Sequence, residues 1–301
     1  MALSPDVDIM MIGHFARDIL VVDGSSETAS GGAVYYGGVA LRRIGVRVAV
    51  VTRLHPDDAV LLNELEQEGV RVFATAAPET SGIENIYNSA DMERRTCKLI
   101  AFAGPFRQEQ VPDLTAQVYL ITPIIAGEVD LSLLKSLAAR GPVGLDVQGF
   151  VRVCEDDHPS AGSGQALVFR PWPDMAEGLA HVTYLKVDRA EAELLTGQVD
   201  LRVAARQLAE YGPREIVVTQ SSGVTVYADG RIYKAPFTPR SLDGRTGRGD
   251  TCFATYVGKR LSASAEEACR FAAAVTTLKQ EQPGPWRGTL DDVEALLTTR
   301  R

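Results

Sequence analysis

"SLDGRTGRGDTCFATYV", residues 241–257, sets an aspartate directly behind Thr-Gly-Arg-Gly and in front of a run with helical character. Gly247 and Gly249 permit a tight turn with successive N–H groups exposed, and a helix from Thr251 onward aims the positive end of its dipole at the same point. The stretch therefore reads as an anion cradle. A carboxylate at its mouth repels a bound phosphate, so Asp250 needs a task. Taking the proton of an attacking hydroxyl, while the cradle neutralises charge on a transferred phosphoryl group, is one such task. Capping the helix is the other, and this stretch alone does not separate them.

Working outward, short apolar runs alternate with segments of helical period. VDIMMIG, VRVAVVT, VYLITPII, PVGLDV, VTYLKV and EIVVTQ are near-continuously apolar, as strands buried on both faces must be. Between them GGVALRRIG, HPDDAVLLNELEQEG, DLSLLKSLAARG, RAEAELLTG and DLRVAARQLAEYG repeat apolar residues at i, i+3 and i+4, several ending at glycine. Strand followed by helix, repeated, predicts an α/β fold with a mostly parallel sheet covered on both faces. DILVVDG and GIENIYNSADMERRTCKLIAFAG break the rhythm with polar alternation, and the second reads as a hairpin across SADMERR. Together they predict a small β lid from about 14–32 and 80–105, beside the carboxyl edge of the sheet, in one domain spanning 1–301. An edge hairpin that only caps the sheet is the alternative.

Composition limits the function classes. The chain has 301 residues, 31 Lys+Arg against 39 Asp+Glu, and a net charge of -8, which lacks the basic excess that nucleic-acid binding requires. Cys97, Cys154, Cys252 and Cys269 are far apart and form no zinc-ligand spacing, so a reducing cytoplasm is the expected setting. No apolar run approaches membrane-spanning length, and Asp6 and Asp8 stand where a signal peptide carries basic charge. Neither export nor a membrane partner is expected.

GGAVYYGGVALRRIG (31–45), LKVDRAEAELLTG (185–197) and GRTGRGDTCFATYVG (244–258) resemble, in order and spacing, the marker segments of the ribokinase-like (PfkB) carbohydrate kinases. The resemblance implies a three-layer sandwich with a β lid and an ATP-dependent transfer to a sugar or polyol hydroxyl, with Mg2+ as cofactor. It implies Asp250 as the base and Gly247, Arg248 and Gly249 as the anion hole. Glu191 matches the glutamate of an Asn-x-x-Glu motif that organises magnesium and its waters, with Asp188 at the first position. Asp18 matches an acid that binds sugar hydroxyls, and Gly31-Gly32 the glycine pair beneath the substrate. On the nucleotide side it implies Lys186, Asp188, Thr219 and Gly223, and Ala274 in a small-residue helix against which adenine would pack.

Departures from the pattern carry information of their own. Arg248 replaces a small residue, and its guanidinium either reaches a phosphate or narrows the site. Gly244 stands where the motif usually begins with aspartate, with Asp243 one place earlier, which puts the family's monovalent cation in doubt. Tyr36 replaces a common asparagine. Gln148 and Arg152, in GLDVQGFVR, stand where many sugar kinases carry Asp-Pro-Asn-x-Arg and are substrate or phosphate contacts by position. GGAVYY, LDVQGFVRV and TLKQEQPGP look most like the inositol kinase-like branch. Nucleoside kinases of the same family stay open, as does a non-catalytic sugar-binding sensor with Arg248 blocking transfer. A dinucleotide-dependent oxidoreductase is disfavoured because GHFARD lacks G-x-G-x-x-G after the first strand. Ile83, Ile86 and Tyr87 would allow a homodimer through the lid.

Overall fold

A computed structural model of the chain describes residues 4–88, 91–156 and 164–298. In chain order the strands are β1 (Val7–Ile12), β2 (Ala16–Val22), β3 (Ser25–Gly31), β4 (Val48–Leu54), β5 (Arg71–Ala76), β6 (Gly82–Asn88), β7 (Asp91–Ala101) and β8 (Ala116–Ile121). There follow β9 (Val143–Asp146), β10 (Arg152–Cys154), β11 (Gln165–Phe169), β12 (Tyr184–Asp188), β13 (Glu215–Gln220), β14 (Gly223–Ala228) and β15 (Arg231–Pro236). The helices are α1 (Ala33–Arg43), α2 (Asn63–Gln67), α3 (Leu131–Ala138), α4 (Gln148–Val151), α5 (Met175–Leu179), α6 (Arg189–Thr196), α7 (Leu201–Ala209), α8 (Arg248–Arg260), α9 (Ala265–Gln280) and α10 (Leu290–Thr298).

Nine strands form one sheet in the order β15-β14-β13-β12-β9-β8-β1-β4-β5. Every pair from β13 to β5 is parallel, and β14 and β15 close the other edge antiparallel. The continuous apolar runs have a direct cause in this arrangement, because both faces are buried. On β1, Ile9 and Met11 join a core beneath α1, α8 and α9, while Met10 and Ile12 join a second core beneath α3, α6 and α7. The three-layer α/β arrangement expected from the sequence is present. HPDDAVLLNELEQEG departs from a regular helix: Pro56–Leu62 is a 3-10 turn that runs into the short α2.

A second sheet has the order β10-β11-β7-β6-β2-β3. β2, β3, β6 and β7 lie in the two stretches expected to form the lid, and the hairpin tip at residues 89 and 90 lies outside the described residues. β10 and β11 add to the sheet through Gln165 opposite Leu99, beyond those stretches. His14, just after β1, joins the two sheets. Its Nδ1 is 2.7 Å from Ser81 Oγ, its Nε2 is 2.9 Å from the Gly104 carbonyl, and its backbone N–H donates to Glu128 at 3.1 Å. Burial pushes the imidazole down to about 3 and the Glu128 carboxyl up to about 8, so the junction is built from neutral groups.

Candidate active site

The turn before α8 begins its helix earlier than the sequence suggests. Gly247 is the N-cap, with φ 80°, and the helix starts at Arg248 rather than Thr251. Asp250 therefore sits in the first turn and does not cap; the first intrahelical bond runs from Thr251 N–H to the Gly247 carbonyl at 2.9 Å. Arg248 N–H closes a turn on the Arg245 carbonyl at 3.2 Å, and the amides of Gly249 and Asp250 follow where a helix supplies no acceptor of its own. Glycine is required at 247 twice over. Its φ is left-handed, and a β-carbon there would lie 2.3 Å from the Tyr36 ring.

This turn closes one side of a cavity of about 240 Å³ at the carboxyl ends of β9, β12 and β13, lined by Asp18, Gly32, Tyr36, Ile83, Asn85, Ile124, Gln148, Arg152, Lys186, Asp188, Thr219 and residues 245–250. Asp18 comes from β2, where its carboxylate accepts Ile83 N–H at 2.9 Å. Gly31 lies directly beneath it, since a β-carbon at 31 would meet Asp18 Oδ2 at 2.4 Å, while Gly32 lines the cavity itself as the N-cap of α1. Tyr36 is almost fully buried. Its hydroxyl donates to the Ser30 carbonyl at 3.2 Å and its ring supports Gly247 from below.

Gln148 and Arg152 enter as a pair on α4 and the start of β10. Arg152 Nη2 donates to Gln148 Oε1 at 2.8 Å, and Gln148 N–H to Asp146 Oδ1 at 3.1 Å. Arg152 Nε is buried and has no hydrogen-bond partner, an orphan donor that a ligand oxygen would satisfy. Across the cavity, buried Lys186 donates to Asp146 Oδ1 at 3.0 Å and lies 3.7 Å from Glu191. Burial works against its charge, but Asp146, Glu191, Asp188 and Asp250 outweigh that and hold the ammonium above its ordinary range. A β-carbon built on Gly249 would stand 3.5 Å from Lys186 Cε and 3.8 Å from Thr219 Oγ1, so these groups converge on the anion turn.

Asp188 and Glu191 form a reciprocal cap on α6. Glu191 N–H donates to Asp188 Oδ1 at 2.8 Å, and Asp188 N–H to Glu191 Oε2 at 2.6 Å. Glu191 is fully buried, which pushes its carboxyl up to about 8 against the pull of Lys186, and its Oε1 has no partner. No group of three or more His, Cys, Asp or Glu side chains that could hold a metal occurs among the described residues. The orphaned oxygen suits contact with a metal through water, and the donor set does not suit direct caging.

Two nucleotide-side residues fall elsewhere. Ala274 is packed with Ala40, Phe271, Val275, Trp286 and Val293 inside the helical layer. Gly223 begins β14, where a β-carbon would meet the Ala235 carbonyl at 2.5 Å, which makes it a requirement of sheet pairing. Of the lid residues named for pairing, Ile83 is buried against the main body and lines the cavity, and the side chain of Tyr87 lies outside the described residues. The cavity also contains groups that sequence reading did not single out: Asn85, Ile124 and Arg245. Asp146, the partner of Lys186, and Lys279, beneath the anion turn, were also passed over. A lysine on the buried face of an alanine-rich helix was the available signal for Lys279. Asn85 and Ile124 gave none, because Asn85 enters from β6 of the second sheet and Ile124 from the loop after β8, and only the fold brings them together. All four cysteines are free thiols, and among the described residues no helix is long and apolar enough to cross a membrane.

Comparisons with known proteins identify the family. A solved pyrophosphate-dependent kinase in the ribokinase family, in complex with sulfate, is 39% identical, with 95% of this chain and 99% of that one covered and a TM-score of 0.86. A pyrophosphate-dependent kinase of the same family, complexed with a pyrophosphate analog and myo-inositol, is 38% identical at the same coverage and TM-score. The cytidine kinase of Thermococcus kodakarensis is 27% identical over 81% of this chain and 85% of its own length. The family model for pfkB family carbohydrate kinases matches residues 6–290. The chain accordingly belongs to the pfkB family of carbohydrate kinases, and is a kinase of sugars or polyols.

Proposed function

We propose that the chain transfers a phosphoryl group from pyrophosphate to a hydroxyl of a small polyol of the myo-inositol kind. The observation that carries this reading is the joining, in one cleft, of a lid carboxylate (Asp18) suited to neighbouring hydroxyls with a helix-start acid (Asp250) ringed by Arg152, Lys186, Arg245 and Arg248. Asp250 takes the proton of the attacking hydroxyl, and the amides of Gly247 and Gly249 with the side chains of Lys186 and Arg248 stabilise charge on the transferring group. Asp18, Gln148 and Arg152 orient the acceptor, whose several equivalent hydroxyls must be told apart. Magnesium, when bound, would neutralise donor charge, with Glu191 and Asp188 holding its waters.

The family resemblance favoured ATP as donor. Two facts support the shorter donor instead: similarity at 38% and 39% identity to pyrophosphate-dependent kinases, and the position of Gly223 and Ala274 outside the cleft. The cytidine kinase relative supports a second reading, an ATP-dependent nucleoside kinase. Purified protein offered each donor with myo-inositol, other polyols, sugars and cytidine decides between them. Phosphorylated polyol with pyrophosphate supports the first reading, and phosphorylated cytidine with ATP supports the second.

A further inference from the structure

Lys279, in the last turn of α9, is 1% exposed and carries its ammonium into the protein rather than to solvent. Nζ donates to the Gly244 carbonyl, at the start of the anion turn, and stands 5.1 Å from the centre of the Tyr36 ring, whose face supports Gly247. The strand of loop that receives it could not carry the usual aspartate. A β-carbon on Gly244 would lie 1.8 Å from the Gln282 carbonyl oxygen, and Gly244 N–H is fastened to the Gln280 carbonyl at 2.8 Å. A side-chain carboxylate is thus absent from position 244, the neighbouring one being Asp243, and a lysine amine is covalently present in its place.

A free monovalent cation near this loop is what family resemblance implies, and the residues present do not fit one: the carboxylate that would hold it is missing, and the Gly244 carbonyl is already engaged. We infer that Lys279 is a tethered cation that braces the anion turn and supplies positive charge beneath the phosphoryl-transfer site, so that transfer needs no free monovalent cation. The inference rests on the kinase reading of this cleft. Lys279 is a positioning residue; it acts through Gly244 and Tyr36 on the turn at Gly247 and Gly249. Its charge balance is consistent with that role. Burial draws the ammonium down to about 7, Asp250 opposes this and Arg287 adds to it, so a polyanionic donor in the cleft would favour the protonated form.

The test is turnover of the intact protein in sodium, potassium, ammonium and tetramethylammonium chlorides at constant ionic strength, beside Lys279→Met. The native sequence is expected to vary by no more than about twofold across the salts, whereas Lys279→Met loses on the order of tenfold in kcat with little change in acceptor KM, and ammonium or potassium restores part of it. Activation of the native protein several-fold by potassium overturns the inference, as does a Lys279→Met protein with unaltered turnover. Melting temperatures in the same salts give an answer free of activity and of any variant: a specific rise with potassium in the native protein means that a vacant cation site exists and the inference fails. If no donor and acceptor pair reacts at all, the kinase reading fails instead, and the melting series still decides whether a cation site is present.

Discussion

We propose that Asp250 and the arginine two places before it carry the chemistry, and each can be tested by substitution. Asp250 does not cap α8, so Asp250→Asn removes a proton acceptor without removing a cap. Turnover is expected to fall on the order of a hundredfold or more, with acceptor and donor binding retained in calorimetric titrations. Arg248 lines the cavity beside it. Arg248→Ala is expected to lower kcat on the order of tenfold with little change in acceptor KM, because a guanidinium beside the transferring group interacts most strongly as charge develops there. A rise in turnover would show instead that the side chain obstructs the site. Lys279 gives a prediction about stability and pH. An unfolded lysine keeps its proton to about 10.5 and the buried one only to about 7, so between those values the unfolded chain binds more protons and folding becomes more favourable as pH rises. Melting of the native protein should therefore gain on that of Lys279→Met between about pH 7 and about pH 9.5, and a constant difference would contradict the burial of its charge.

At the scale of elements, the anion turn depends on two glycines for different reasons. Gly247 needs a left-handed φ and room for Tyr36, and Gly244 needs room for the backbone at 282. Gly244→Ala keeps an allowed backbone but must push the loop off α9, so it is expected to lower turnover at least tenfold while the melting temperature falls only modestly, read by activity and thermal melts together. The α6 cap does two jobs in the same way, since the carboxylates that satisfy the helix start also face Lys186. Much of this level was legible beforehand. Runs buried on both faces announced the parallel strands, and Thr-Gly-Arg-Gly-Asp announced a tight glycine turn at a helix start. The start of α8 was misplaced because a helix beginning on an αL glycine lacks the usual capping side chain. β10 and β11 were missed because three- and five-residue strands have too few positions to show a period. Lys279 went unremarked because its meaning depends on a loop 35 residues away that only tertiary packing brings to it.

Over the whole molecule, two sheets meet at one edge around the cavity. The parallel sheet delivers Asp146, Lys186, Asp188 and Thr219 from its strand ends, and the second sheet delivers Asp18, Ile83 and Asn85 across the opening. We propose that this second sheet is a lid, fastened through His14, Ser81 and Glu128. Pairing of two chains through the lid finds no support from Ile83, which is already committed to the interior. The acceptor's identity was not legible in sequence because the cavity residues of the second sheet are separated by a whole chain segment from those of the anion turn. The most direct measurement follows phosphorus resonances while the native protein and Asp250→Asn are each incubated with pyrophosphate, magnesium and myo-inositol. A polyol phosphate signal growing in step with orthophosphate, and reduced on the order of a hundredfold or more by Asp250→Asn, is the predicted result. No polyol phosphate from any donor, or an Asp250→Asn protein within about threefold of the native rate, would contradict the assignment of this cleft as a phosphoryl-transfer site with Asp250 as its base.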